Sequence, residues 1–407
     1  MEETVANYDE SQVPDYTLPD PLTFDDGSPV SSPDAWHNLR RVEVFTLFEH
    51  FVYGHAPGRP ERLVVETTSA VDGALDGLAT RKEIRIRFSD APHDPALHML
   101  LYLPLHREAP APVFVGINFQ GNHTIQSDPE ITLPALAGMR PEKESRTEPE
   151  RMEALEALRG AAASRWPVSM ILRRGYGVAT IFCGDIDPDF HDGFENGVHR
   201  LYPRDDSRGD AWGTLSAWAW GLSRALDAFE SDPDVDATRV SAIGHSRMGK
   251  AALWAGATDP RFALVVSNNS GCGGAALSRR RVGETVRRIN TVFPHWFCSN
   301  FKAFNGNEDA LPVDQHELIA LLAPRPVYIA SAEDDLWADP RGEFLAAKAA
   351  DPVYRLVAGS GLPVAQMPAT NTPAHGRIGY HVRSGGHDIT AYDWEQYLNF
   401  ADMHLTV

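Results

Sequence analysis

Cysteine is almost absent from this chain. Three residues in 407, Cys183, Cys272 and Cys298, cannot supply the disulfide framework of a small secreted scaffold. At most one bridge forms, with one thiol left over. Long apolar runs are missing too, and nothing approaches the length of a membrane span. Positive charge is scarce: 37 Lys and Arg stand against 56 Asp and Glu, for a formal net charge of -19. Such a field repels a polyanion, which argues against nucleic-acid binding. The opening Met1-Glu-Glu-Thr-Val lacks the basic and apolar regions of a signal peptide, a weak pointer to the cytoplasm. No internal repeat and no low-complexity tract appears.

What is present is the profile of a globular protein, with 43% hydrophobic and 23% charged residues. Residues 1–35, rich in Pro, Asp and Ser, read as an arm over the surface. A helix is expected from Asp34 to Val52, with Val42, Phe45, Phe48 and Val52 on its buried face. Strand-like runs follow at Arg62–Thr67, Glu83–Phe88 and His98–Leu103, the middle one alternating as a half-buried antiparallel strand does. From Pro112 the runs become continuously apolar: Val113–Ile117, Val178–Phe182, Val240–Ile243, Ala263–Val266 and Val327–Ala330. Helical patterns such as Trp212–Phe229 and Gly249–Thr258 lie between them. Buried strands alternating with helices predict an α/β fold, with a mostly parallel central sheet, antiparallel N-terminal strands and helices on both faces in a three-layer sandwich. One domain over residues 1–407 is expected, with insertions at 123–167, 184–210 and 271–312 at one edge of the sheet. The first of these carries a charged stretch, Arg140–Arg151.

The sharpest local signal is Gly244-His245-Ser246-Arg247-Met248-Gly249, an apolar strand running straight into a helix. Serine hydrolases of the α/β-hydrolase type hold the nucleophile on such a turn, where small neighbours relieve crowding and the hydroxyl projects into the site. The second glycine falls one place later than in G-x-S-x-G. Ser246 is the candidate nucleophile. His245 is adjacent to it and reads as a packed histidine. Partners in this fold follow in the order acid, then histidine. The run Ile378–Arg383 leads into Ser384-Gly-Gly-His387, which makes His387 the candidate base, with His381 in reserve as a strand residue. After Val327–Ala330 the chain reads Ser331-Ala-Glu-Asp-Asp335, and spacing does not choose between Asp334 and Asp335. The stretch Asp185-Ile-Asp-Pro-Asp-Phe-His-Asp192 opens like a calcium loop. Phe190 stands where the glycine belongs and Asn196 where the closing glutamate belongs, so no metal site is assigned.

With these residues in place the chain resembles the bacterial glucuronoyl esterases, carbohydrate esterase family 15. The resemblance covers nearly the whole length, through Tyr16–Pro21, Trp36 to Pro57, Asn118–His123, Ser246–Lys250, Ser270–Ala275 and Asp335–Pro340. It implies cleavage of the ester between 4-O-methyl-glucuronic acid of glucuronoxylan and a lignin alcohol, without cofactor or metal, by a secreted or periplasmic monomer that binds no membrane. It assigns the acid to Asp335, oxyanion stabilisation to Arg247, and substrate binding to Lys250, Glu284 and Trp337. Ser246 and Lys250, four apart, share a helix face. Two departures stand out. Many members carry a glutamate where this chain has Asn269, leaving the acid role to Asp335. Fungal members have a disulfide-bonded cysteine where this chain has His245. The alternatives are an acetyl-xylan or feruloyl esterase on the same scaffold, and a catalytically weak carbohydrate-binding relative.

Overall fold

A computed structural model describes residues 6–91, 93–139 and 147–405. The charged stretch Arg140–Arg151 thus lies partly outside the described residues, as do the first five residues of the arm. Ten strands form one sheet: β1 (Val64–Gly73), β2 (Ala79–Arg87), β3 (Ala96–Pro104), β4 (Ala111–Asn118), β5 (Gly177–Phe182), β6 (Val235–His245), β7 (Leu264–Asn268), β8 (Val327–Ala332), β9 (Ala374–His375) and β10 (Ile378–Arg383). Their order is β1-β2-β3-β5-β4-β6-β7-β8-β10-β9. The mixed, mostly parallel sheet is the one expected. β1, β2 and β3 pair antiparallel, whereas β4/β5, β7/β8 and β8/β10 pair parallel.

The chain groups into two compact units. The one made of residues 56–205 and 217–242 contains β1–β5 and the start of β6. In β2, Ile84 and Ile86 are buried while Glu83, Arg85 and Arg87 are not, the period-2 pattern of a half-covered strand. β4 and β5 are apolar and covered on both faces. The calcium-like stretch lies here, and its carboxylates serve the protein. Asp185 accepts from the His98 backbone N–H, Asp187 sits 3.0 Å from His199 Nδ1, and Asp192 takes the Asn196 side-chain amide.

The other unit, residues 1–55, 206–216 and 243–407, carries every candidate site residue. Its N-terminal helix corrects one expectation. Phe48 and Val52 are buried as expected and Phe45 is half-buried, but Val42 is 53% exposed, and Trp36, Arg40 and Val44 complete the buried face. The cause is a π-turn at each end, Trp36–Arg40 and Glu49–Tyr53, flanking the α-helical Arg41–Phe48. Wider turns bring every fourth residue back to the same side, which the 3.6-residue period does not anticipate. The described part of the arm runs over this unit: Asn7 O accepts from Gly283 N, and Pro19 O faces His316 Nε2. All three cysteines are buried and free, so no bridge forms. Among the described residues no helix is long and apolar enough to cross a membrane.

Candidate active site

β6 delivers the chain into Ser246 at φ 58°, ψ -129°, and the helix Arg247–Thr258 begins at the next residue. A serine held at positive φ stores ~1–3 kcal/mol of backbone strain and persists only where its surroundings fix it. Here Ser246 N donates to Asn268 O (2.8 Å) and Ser246 O accepts from Gly249 N (2.8 Å). The two glycines have separate tasks. A Cβ on Gly244 would meet Met248 O at 1.9 Å, so the turn closes only over glycine. Gly249 lets the first helical turn settle on Ser270, whose Cβ would lie 3.0 Å from an added methyl. That close approach accounts for the position of the second glycine.

Asp335 caps the short 3-10 turn Leu336–Ala338 in the loop after β8, and His387 sits in the loop after β10. The two meet: His387 Nδ1 is 2.6 Å from Asp335 Oδ2. Of the two aspartates between which spacing does not choose, Asp335 is buried and is the one in contact with His387, whereas Asp334 is exposed. Asn269, itself at φ 48°, donates its Nδ2 to the same Oδ2 at 2.7 Å. Burial pushes the Asp335 carboxyl up, but hydrogen bonds from His387 and Asn269, the imidazole's charge and the Ala338 amide together hold it below the ordinary carboxylate value. A glutamate at 269 would set a second carboxylate beside the first; the amide supplies a donor instead. Ser246 and His387 line one cavity. Among the described residues no hydrogen bond joins their side chains. Such contacts commonly tighten only when substrate binds.

The imidazole loop is clamped from beneath. Arg383, buried at the end of β10, donates to the carbonyls of Ser384, Gly386 and Asp388 at 3.0, 3.1 and 2.6 Å, on both sides of His387. Its Nε is fixed by Asp393 Oδ2 (2.7 Å), and Asp393 also takes the Thr390 N–H and faces His381 Nε2 at 2.9 Å. His381 is therefore wholly engaged inside β10, as a strand residue. His245 packs its ring 4.6 Å from that of His387, with Nδ1 2.6 Å from Asn268 Oδ1. Arg383→Lys keeps the charge but loses the planar fork. It is expected to lower kcat about 10- to 100-fold on any ester substrate, with KM changed far less, because the imidazole loses its aim and not the substrate its pocket. Steady-state kinetics beside wild type check the split, and an unchanged kcat would contradict it.

The cavity, about 370 Å³, is walled by Ser246, Arg247, Lys250, Glu284, Arg288, Phe293, Trp296, Trp337 and His387, among others. All seven sequence-named site residues except Asp335 line it, and Asp335 reaches it through His387. Lys250 is buried, with Nζ donating to Ser270 O (2.6 Å), Cys272 O (2.7 Å) and Glu284 Oε2 (3.4 Å). Its three protons thus have partners, and a ligand hydroxyl would compete for the long contact to Glu284. Gly283, at φ 62°, would place a Cβ 2.3 Å from Trp337 O. Glu284 N donates to that same carbonyl at 3.0 Å, which locks Glu284 and Trp337 side by side. Glu343, fully buried on the helix Pro340–Ala358, accepts from the amides of Ser270 (2.8 Å) and Gly271 (3.0 Å) and so holds that wall; burial pushes its carboxyl up to about 8.

Sequence reasoning missed Trp296, Phe293 and Arg288. Phe293 and Trp296 stack at 3.7 Å between centroids, and the Arg247 guanidinium lies 5.4 and 4.9 Å from their centroids. They come from the 271–312 insertion, and the Phe293-Pro-His-Trp296 cluster of aromatics was the signal available for them. Arg383 carried none: an arginine ending a strand looks like any other.

A family model described as glucuronyl esterase of fungi matches residues 190–358. The carbohydrate esterase MZ0003, from an unknown prokaryotic organism, is 52% identical over 403 residues, covering 98% of this chain and 92% of that protein. Among solved structures, a promiscuous CE15 esterase from a marine bacterial metagenome is 50% identical with a TM-score of 0.88, over 98% of this chain and 100% of the other. A glucuronoyl esterase from Solibacter usitatus is 45% identical with a TM-score of 0.90, over 97% of this chain and 100% of the other. The α/β-hydrolase fold expected from the sequence is the fold of these neighbours.

Proposed function

This chain belongs to carbohydrate esterase family 15, the glucuronoyl esterases, and we propose that it hydrolyses esters of (4-O-methyl-)glucuronic acid, those joining glucuronoxylan to lignin alcohols. The observation that carries the reading is the Asp335–His387 pair at 2.6 Å, opening on the same cavity as a strained Ser246. His387 Nε2 takes the Ser246 proton as Oγ attacks the ester carbonyl carbon. The C=O pair moves onto oxygen, and the oxyanion is met by the Arg247 guanidinium and the backbone N–H groups opening the helix. The imidazolium, held by Asp335, returns its proton to the departing alcohol as the ester C–O bond breaks. Water, deprotonated by the same imidazole, then releases the uronic acid and restores the serine.

Specificity for a uronate follows from the walls. In a chain of net charge -19, this cavity gathers Arg247, Lys250 and Arg288. Glu284 accepts from sugar hydroxyls, and the partly exposed Trp337 offers an apolar face to a pyranose. Action as a monomer, and an extracytoplasmic setting where lignocellulose is met, go with the reading. The 50% identical relative is described as promiscuous, so some acetyl-ester turnover is expected here too. The test is a panel of benzyl glucuronate, its 4-O-methyl ether, an acetylated xylan and a feruloyl ester. A kcat/KM at least ~100-fold higher on the uronates, the discrimination that one well-matched polar subsite supplies, is the expected result. Equal or better turnover of the acetyl or feruloyl ester would replace this reading with that of a general esterase.

A further inference from the structure

Away from the cavity, the π-turn Glu49–Tyr53 ends at Gly54, and the chain there is clasped against residues 210–213. His55 N donates to Asp210 O at 2.9 Å, and Gly213 N to Tyr53 O at 3.2 Å. A Cβ on Gly54, at φ 82°, would lie 2.5 Å from Trp212 Cα, so the backbones approach as closely as glycine permits. This clasp brings two imidazoles onto one carboxylate oxygen. His50 Nδ1 is 3.2 Å and His55 Nε2 is 3.4 Å from Asp210 Oδ2. On the far side of the second ring, His55 Nδ1 lies 3.3 Å from Glu49 Oε2. Asp210 is buried while both imidazoles are exposed, so the cluster opens to solvent.

We propose that His50, His55 and Asp210 form a zinc site, with a water completing the tetrahedron and Glu49 orienting His55. Ligands at 2.0–2.1 Å around a tetrahedral zinc stand about 3.3–3.4 Å from one another. The spacings to Asp210 Oδ2 match that edge and exceed the ~2.7–2.9 Å of a charge-assisted hydrogen bond. Glu49 against the non-ligating nitrogen is the carboxylate–histidine–metal arrangement that fixes a ring's tautomer and aim. Two imidazoles and a carboxylate suit zinc better than calcium or magnesium, which take oxygen ligands. Arg208 holds the same carboxylate, Nε on Oδ1 at 2.9 Å and one terminal nitrogen on Oδ2 at 3.1 Å. With the metal bound it keeps Oδ1 and yields Oδ2, which its exposed side chain allows.

The ion's work is structural. It ties residues 49–55 to the 206–212 segment, and the His50 carbonyl in turn takes the Asn300 side-chain amide at 2.8 Å, next to the stretch carrying Phe293 and Trp296. The test is zinc titration of the full chelator-treated chain, followed by metal analysis, thermal melting and cobalt substitution. One Zn²⁺ per chain, a rise in melting temperature of roughly 3–5 °C at saturating metal and tetrahedral cobalt absorption bands are expected. Glu49→Gln should weaken binding about 10-fold, and the double variant His50→Gln, His55→Gln should abolish it while leaving esterase activity unchanged. Wild type that takes up no more zinc than the double variant overturns the proposal. Should that variant not fold, cobalt uptake by wild type without tetrahedral bands overturns it equally.

Discussion

Ser246→Ala is expected to lower kcat on benzyl glucuronate by about 10⁵- to 10⁶-fold, the loss seen when a serine hydrolase is stripped of its nucleophile. The expectation follows from the turn. Ser246 is held at φ 58° by backbone bonds to Asn268 and Gly249, none of which uses its hydroxyl. Alanine therefore keeps the fold, the cavity and substrate affinity, and the entire effect falls on the chemical step. Unchanged KM or a measurable Kd for the uncleaved ester, together with an unchanged melting temperature, checks that reasoning. Turnover within tenfold of wild type would remove Ser246 from the reaction.

Asp335→Asn is expected to cost about 10⁴-fold in kcat, as loss of the orienting acid does in serine proteases. The amide leaves the shape intact but carries no negative charge to stabilise the imidazolium. Asn269, on the same Asp335 oxygen, supplies no second carboxylate to take over. The substitution also has a stability signature. The folded pKa of Asp335 lies below its unfolded value, so its contribution is present above about pH 3.9 and lost as pH falls through the depressed folded value. The wild-type melting temperature should fall in that acid window more steeply than that of the variant. An Asp335→Asn enzyme retaining a tenth of wild-type kcat would show that the carboxylate is not the acid.

Much of this was legible because strand, turn and helix each write their own pattern. The continuous apolar runs at 113–117, 178–182 and 327–330 are covered on both faces in the structure, and the run at 378–383 matches β10 at both ends. Ser246 stood out because Gly244 has no substitute at its turn. His387 and Asp335 were found by chain order and by likeness to the family, for nothing in the local sequence separates Asp335 from Asp334; burial and the 2.6 Å contact separate them. Val42 was misread because π-turns change the period on which the helix argument rests. The Arg383 clamp and the Phe293–Trp296 wall were invisible for another reason. Each depends on what the chain brings near from elsewhere, and an arginine or a tryptophan by itself says nothing of its neighbours.

The most direct test of the whole account is to label the enzyme with a fluorophosphonate and map the modified peptide. Inactivation should go in step with one label per chain, on the peptide carrying Ser246, and labelling should slow in Asp335→Asn and in His387→Ala by factors close to their losses in kcat. A label on another residue, or full activity after Ser246 is labelled, would contradict it.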